Sequence, residues 1–253
     1  MRFRVGLPNN LFANMLASVF PREFFSFYYL TNSEILKELV NEKIDIAITP
    51  SLEILNEDNL FVSKKIGVAF DGPLSDDYIY YSGKEDLSAI KLAGSVSLNE
   101  ILLTKLIFRE NYGLELNQEV VKRVPEKIEE NYLISGNVNF EKSLYEKGDS
   151  LAEHVAQFLD APYLKYIVVS KRKENIEMLH QNIYNPESEI ELSFPSLLKA
   201  LGFEEKVIDF FKSNLDGLYF ELTQNEIDSF DEMRKIPFYY GLFEEVKEIA
   251  FVE

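Results

Sequence analysis

Short apolar runs alternate with stretches of helical period through the first two thirds of this chain. The runs predict strands at Phe3–Leu7, Phe25–Leu30, Ile44–Thr49, Ile66–Phe70 and Tyr78–Tyr81, then at Ile90–Gly94, Glu119–Val124, Tyr132–Ser135 and Tyr166–Val169. The intervening periodicity predicts helices at Leu11–Val19, Ser33–Asn41, Ser51–Leu55, Leu98–Tyr112 and Ser150–Leu159. Strand and helix in alternation are the signature of βα units, so the expected class is α/β with mainly parallel sheets and helices on both faces. Beyond Arg172 the pattern turns mainly helical. Ser196 is placed to cap one helix that Gly202 would end, and Thr223–Glu226 forms a capping box for another. The closing "EIAFVE" reads either as a last short strand or as an extended tail.

One handover is abrupt. In "IDIAITPSLEIL", Ile44–Leu55, the strand period stops at Thr49 and a helical period begins at Ser51. Proline cannot donate a ladder bond, and a serine can cap the bare N–H groups of the next helix. Two polar interruptions, near Ser82–Ser88 and Ser170–Glu174, divide the pattern further. They predict two lobes with a cleft between them: residues 1–86 and 174–253 form one discontinuous lobe around a middle lobe at 87–173.

In such sheets ligands bind beyond the carboxyl ends of the strands, where loops lead into helices. Small polar residues recur at those places: Asn9 and Asn10, Pro50 and Ser51, Gly72 and Ser75, Ser95, Ser97 and Asn99, and Gly136 with Asn137. Turns and caps use the same residue types for structural reasons, and "SLNE" at Ser97–Glu100 is itself a capping box. Five such turns facing one cleft would form a hydrogen-bonding cage for a small polar or anionic metabolite. Asp76-Asp77 reads as a solvated turn, with an acid/base dyad as the alternative, and His154 and His180 read as surface histidines.

Composition narrows the chemistry. The chain has no cysteine and two histidines, which excludes thiolate nucleophiles, disulfides and a multi-histidine metal site. The formal charge is −17, concentrated in the last third, where residues 174–253 hold 18 acidic against 6 basic side chains. That field repels phosphate backbones, so nucleic acid is not expected as a partner. No apolar run is long enough to span a bilayer, so no membrane partner is expected either. The opening "MRFRVGLPNN" lacks the apolar core of a secretion signal, and the expected location is the cytoplasm. No phosphate-binding glycine loop, nucleophile elbow or HExxH motif occurs.

Several segments together resemble one family. "IDIAITPSLEIL", "IGVAFDGPLS" before "YIYYSG", and "LAEHVAQFLDAPYLKYIVVSKR" are similar, in order and spacing, to the chorismate dehydratase of the futalosine route to menaquinone. They also resemble its sibling that acts on cyclic dehypoxanthine futalosine. "IPFYYGLFEEV" near the end is a weaker echo. The resemblance implies a two-lobed type II periplasmic-binding-protein-like fold that works in the cytoplasm without a cofactor. It also implies a lyase that eliminates water from chorismate, with the substrate carboxylates at helix N-termini near Asn10, Ser51 and Ser97. It names no catalytic residue in this chain.

The functional positions depart from the pattern. The dehydratase's Tyr-Leu-Asn stands here as Asn10-Leu11-Phe12, while the sibling's Pro-Asn-Asp-Thr-Phe is closer to Pro8-Asn9-Asn10-Leu11-Phe12. The Ser-x-Thr-Ser region offers Ser95, Ser97 and Asn99, followed by Glu100, a carboxylate that would oppose a dicarboxylate substrate. The usual Gly-Asp is Gly136-Asn137, and the sibling's histidine is absent there. The alternative reading is therefore a non-catalytic cytoplasmic binding protein or sensor that kept the cleft.

Overall fold

The computed structural model describes residues 2–83 and 86–253. In chain order the elements are β1 (Phe3–Pro8), α1 (Leu11–Ser18), β2 (Phe25–Leu30), α2 (Asn32–Val40), β3 (Ile46–Pro50), a 3-10 turn at Ser51–Asn56, β4 (Phe61–Phe70) and β5 (Asp77–Tyr80). Next come β6 (Ala89–Gly94), α3 (Leu98–Tyr112), β7 (Asn117–Val121), β8 (Tyr132–Ser135), α4 (Val138–Glu141), a 3-10 turn at Leu144–Lys147, β9 (Asp149–Ser150) and α5 (Leu151–Leu159). The chain ends with β10 (Tyr163–Ser170), α6 (Lys173–Asn182), α7 (Pro186–Ala200), α8 (Glu205–Asn214), a 3-10 turn at Leu215–Gly217, β11 (Leu218–Glu221), α9 (Gln224–Met233), α10 (Ile236–Tyr239) and β12 (Ala250–Val252).

The strands form two sheets. The larger has the order β11-β4-β10-β3-β1-β2, with β12 also paired to β4; the smaller has the order β7-β6-β8-β5-β9. β3 lies between β10 and β1, which is why Ile46, Ala47 and Ile48 are all fully buried and the strand reads as a continuous apolar run. β1 pairs in parallel with β2 and β3, and β6 with β7 and β8. The sheets are mixed rather than mainly parallel, because β5 runs antiparallel to β8, and β10 runs antiparallel to β3 and β4.

Those two strands also move the crossings between lobes. β5 belongs to the smaller sheet and β10 to the larger, so the chain passes over between Phe70 and Asp77 and returns after β9, before Tyr163. Both crossings come earlier than the expected 82–88 and 170–174; Lys84 and Glu85, inside the first of these, lie outside the described residues. All eight residues of β10 are buried, as a central strand requires.

Local signals account for most helix starts. Asn10 caps α1 with its side-chain oxygen on the N–H groups of Phe12 and Ala13. Thr31 with Glu34, Ser97 with Glu100, and Thr223 with Glu226 form capping boxes for α2, α3 and α9. Two expectations fail. Ser51 opens only a 3-10 turn and makes no capping hydrogen bond, its hydroxyl being taken by Asn99. Ser196 lies inside α7, which starts ten residues earlier at Pro186 and carries Pro195 in its interior. A proline at the first helical position has no N–H to lose, and its fixed φ suits the helix. The closing segment is a strand, β12, paired in parallel with β4.

Candidate ligand site between the lobes

Lys165 is the center of the junction. It sits in β10 among apolar and aromatic neighbours, is 1% exposed, and directs its ammonium at three carboxylates. Asp76 Oδ1 accepts from Nζ at 2.5 Å, Asp77 Oδ2 accepts a second bond, and Glu100 Oε1 lies 3.2 Å away as an ion-pair contact. Asp76 comes from the crossing segment, Asp77 from β5 and Glu100 from α3, so a lysine of the larger sheet is held by groups on the smaller lobe. The remaining oxygen of Asp76 accepts from Asn10 Nδ2 and from the Tyr166 hydroxyl at 2.9 Å.

The electrostatics follow from burial. Desolvation, and then the charges of Asp76 and Glu100, push the Asp77 carboxyl well above its ordinary range, while Lys165 pulls the other way. Desolvation works against charge on Lys165, but Asp76, Asp77 and Glu100 together outweigh it and hold the ammonium well above the usual lysine range. Burial also raises the Tyr163 and Tyr166 hydroxyls, of which Tyr166 donates to Asp76 and Tyr163 accepts from Asn99.

Around this cluster the lobes cap one another's helices. Glu53, in the 3-10 turn after β3, accepts the N–H of Leu98 at the start of α3 at 2.8 Å. Asn137, before α4, accepts the N–H of Leu11 at the start of α1 at 2.8 Å. Asn99 Oδ1 accepts the N–H of Leu52 at 2.9 Å, while its Nδ2 donates to Ser51 Oγ at 3.1 Å and to Tyr163 OH at 2.8 Å. Asn32 Nδ2 donates to the carbonyl of Ser95 at 2.8 Å. The first N–H groups of α1, α3 and the 3-10 turn, which would otherwise attract an anion, are thus filled by the chain's own oxygens.

Of the residues singled out in the sequence, Asn10, Ser51, Ser97, Asn99 and Asn137 meet at this junction. Pro50 is buried at the end of β3, and Ser75 is buried with its hydroxyl accepting the N–H of Asp77 at 3.0 Å. Gly136, at φ 102°, donates its N–H to the Asp76 carbonyl at 2.7 Å. Asn9 and Ser95 are exposed, and Gly72 contacts Ser150 through its carbonyl, so these three stand apart from the lysine cluster.

The groups that dominate the junction are others. Lys165 and Tyr166 carry no motif, and Asp76-Asp77 is no solvated turn: both residues are fully buried. Glu100 serves two roles, with Oε2 closing the capping box on Ser97 and Oε1 facing Lys165. His180 is not a free surface histidine, since it bonds Ser63 Oγ at 2.7 Å and the Glu253 carbonyl at 3.1 Å. Among the described residues no cluster of His, Asp and Glu is arranged to hold a metal ion, and no helix is long and apolar enough to cross a membrane.

Two sheets joined by a double crossing, with polar groups meeting between them, match known architectures. Protein AF1704 from Archaeoglobus fulgidus superimposes with a TM-score of 0.70 at 11% identity, covering 96% of this chain and 98% of that one. The alkanesulfonate-binding protein SsuA from Xanthomonas axonopodis, bound to MOPS, gives 0.67 at 12% identity over 99% and 97%. An ABC transporter protein from Parabacteroides distasonis gives 0.68 at 11% identity over 100% and 98%. The fold is that of the type II periplasmic binding proteins. No family model matches the chain, and no curated protein matches its sequence. At these identities the likeness covers architecture alone, and the function has to be argued from the junction.

Proposed function

We propose that this chain is a binding protein for a small polar molecule, held where its two lobes meet. The observation that carries the reading is the mutual capping of the lobes. Parting them would release Lys165, three carboxylates and the first N–H groups of α1, α3 and the 3-10 turn together, all facing one crevice. Such crevices at domain interfaces are where small ligands bind, and hinge closure around a ligand needs this kind of complementary surface. The binding of sulfonates by a structural neighbour agrees with this use of the fold.

The resemblance to the chorismate dehydratase family supplies a second reading, a lyase acting on the same crevice. The order and spacing of "IDIAITPSLEIL", "IGVAFDGPLS" and "LAEHVAQFLDAPYLKYIVVSKR" favour it. Three carboxylates around one lysine oppose a dicarboxylate substrate, so binding without this reaction is the preferred conclusion. Thermal-shift measurements on the full chain with small polar acids, amines and neutral compounds test binding, because a ligand of the folded state raises its melting temperature. The proposal fails if no compound does so. Incubation with chorismate separates the readings: formation of 3-enolpyruvylbenzoate establishes the lyase, and its absence at high protein concentration removes it.

A further inference from the structure

Resting on that reading, we propose that the junction is a site for a primary organic ammonium, and that Lys165 occupies it in the closed form described here until such a ligand takes its place.

Coordination is the first argument. A primary ammonium has three N–H donors, and Lys165 Nζ faces three carboxylates from two stretches of chain: the adjacent Asp76 and Asp77, and Glu100. The Tyr166 ring lies beside the same nitrogen, with its centroid 5.3 Å from Nζ, an aromatic face suited to a cation. Charge is the second. A structural pin between lobes needs one lysine and one carboxylate, whereas here three carboxylates are buried around a single cation. Asp77, 0% exposed, still has an oxygen, Oδ1, with no hydrogen-bond partner among the described residues. Buried carboxylates in excess of the cation that holds them are a stability burden unless they serve another cation.

The third argument is what the junction withholds from anions. The N–H groups that would bind a carboxylate are occupied by Asn10, Asn137, Asn99 and Glu53. With the lobes closed the cage therefore presents carboxylate acceptors beside filled N–H groups, and it is in this form that it selects by charge; the Asn137, Asn99 and Glu53 bonds cross between the lobes and part when they do. Lys165 is also the one member that can leave easily, because its ammonium sits at the end of an unbranched, flexible stem. When the lobes part, that stem can swing into the crevice while the carboxylates stay on β5, α3 and the crossing segment. An alkylammonium would then find the same three acceptors.

Shortening the lysine tests the cage directly. Lys165→Ala removes three carbons and the nitrogen, the atoms of n-propylammonium. Melting curves of Lys165→Ala are recorded with n-propylammonium chloride, tetramethylammonium chloride and sodium propionate at equal ionic strength. The expected result is a saturable rise of the melting temperature with n-propylammonium alone, and a smaller one in Lys165→Ala/Asp77→Asn. If Lys165→Ala does not fold unaided, the readout is the yield of folded protein on refolding with each salt. An equal response to tetramethylammonium, which has no N–H, or no response to n-propylammonium in either format, overturns the proposal. The wild-type chain is tested in parallel with n-propylammonium, 1,4-diaminobutane and 2-phenylethylammonium against propionate, benzoate and succinate. Stabilisation by an amine supports the ligand class. Stabilisation by an acid and by no amine overturns that class and leaves the binding function standing. Stabilisation by none of them overturns that class, and overturns the binding function too if the neutral compounds also fail to stabilise.

Discussion

The side-chain oxygen of Asn99 accepts the N–H of Leu52 at 2.9 Å, so one residue in the first turn of α3 satisfies the backbone of the opposite lobe. The same amide donates to Ser51 and Tyr163, which makes Asn99 a shared hub of both lobes. Asn99→Ala leaves the N–H of Leu52 and the hydroxyl of Ser51 without that partner in a fully buried site. Orphaning a buried polar group costs about 1–3 kcal/mol, so Asn99→Ala is expected to lower stability by at least that amount. Urea unfolding checks this. A lower midpoint with an unchanged denaturant slope is the expected outcome, and a wild-type midpoint would show that the hub is dispensable.

Lys165→Met keeps an unbranched apolar stem, one atom shorter, but leaves three buried carboxylates without a cation. Removing one partner from a buried ion pair typically costs about 3–5 kcal/mol, and that is the loss expected here. The effect should be strongly non-additive. In Lys165→Met/Asp77→Asn/Glu100→Gln fewer charges are stranded, so the triple variant is expected to be more stable than Lys165→Met alone. Thermal and urea unfolding of the set, compared at one pH, decide the point.

Asp77 gives a pH signature of definite sign. Burial raises its carboxyl in the folded chain above the ordinary value of 3.8, so the folded state holds this proton more tightly than the unfolded state. That contribution is fully present below 3.8 and is lost as pH rises through the folded value. Asn at this position still offers an oxygen to Lys165 and has no proton to lose. Asp77→Asn is therefore expected to gain on the wild type as pH rises above 3.8, and to lose that advantage as pH falls back toward it. Melting temperatures of both proteins across the acid and neutral range test this, and parallel curves would contradict it.

The same residues explain what the sequence could and could not disclose. Phe25–Leu30, Tyr132–Ser135 and Leu98–Tyr112 are legible to the residue, the two strands from their apolar runs and the helix from the Ser97 capping box and the glycine that ends it. β4 is longer than its apolar run because Ser63, Lys64 and Lys65 interrupt the pattern, and Ser63 is tolerated inside by its bond to His180. β10 was legible only from Tyr166 because Lys165 breaks the run, and the residue that breaks the pattern is the one that organises the junction. Asp76-Asp77 looks like a solvated turn because carboxylates belong in water. What reverses that is an ammonium 89 residues further along the chain, a pairing that no local pattern encodes. The turns at Asn10, Ser51, Ser97 and Asn137 were visible as polar punctuation, but their bonding across the lobes depends on how the two sheets face each other.

His180 ties α6 to the closing strand and gives a second pH response, opposite in sign to that of Asp77. Its Nδ1 faces the Glu253 carbonyl, which can only accept, so Nδ1 carries the proton and Nε2 accepts from Ser63 Oγ. Ser63 Oγ already accepts from the N–H groups of Lys65 and Ile66, which leaves its proton for His180. Protonating Nε2 would set two donors against each other at 2.7 Å. Burial first, with Lys65 assisting and the Glu253 carbonyl opposing, holds the imidazole below its ordinary value of 6.5. A depressed value means stability that is present above 6.5 and is lost as pH falls through the folded value. Ser63 is paired with Val252, so the loss should appear first in β12. Amide exchange at Phe251 and Val252, corrected for intrinsic rate, is expected to accelerate as pH falls below 6.5. His180→Phe should remove that dependence, and an acceleration of equal size in the variant would assign the acid response to another group.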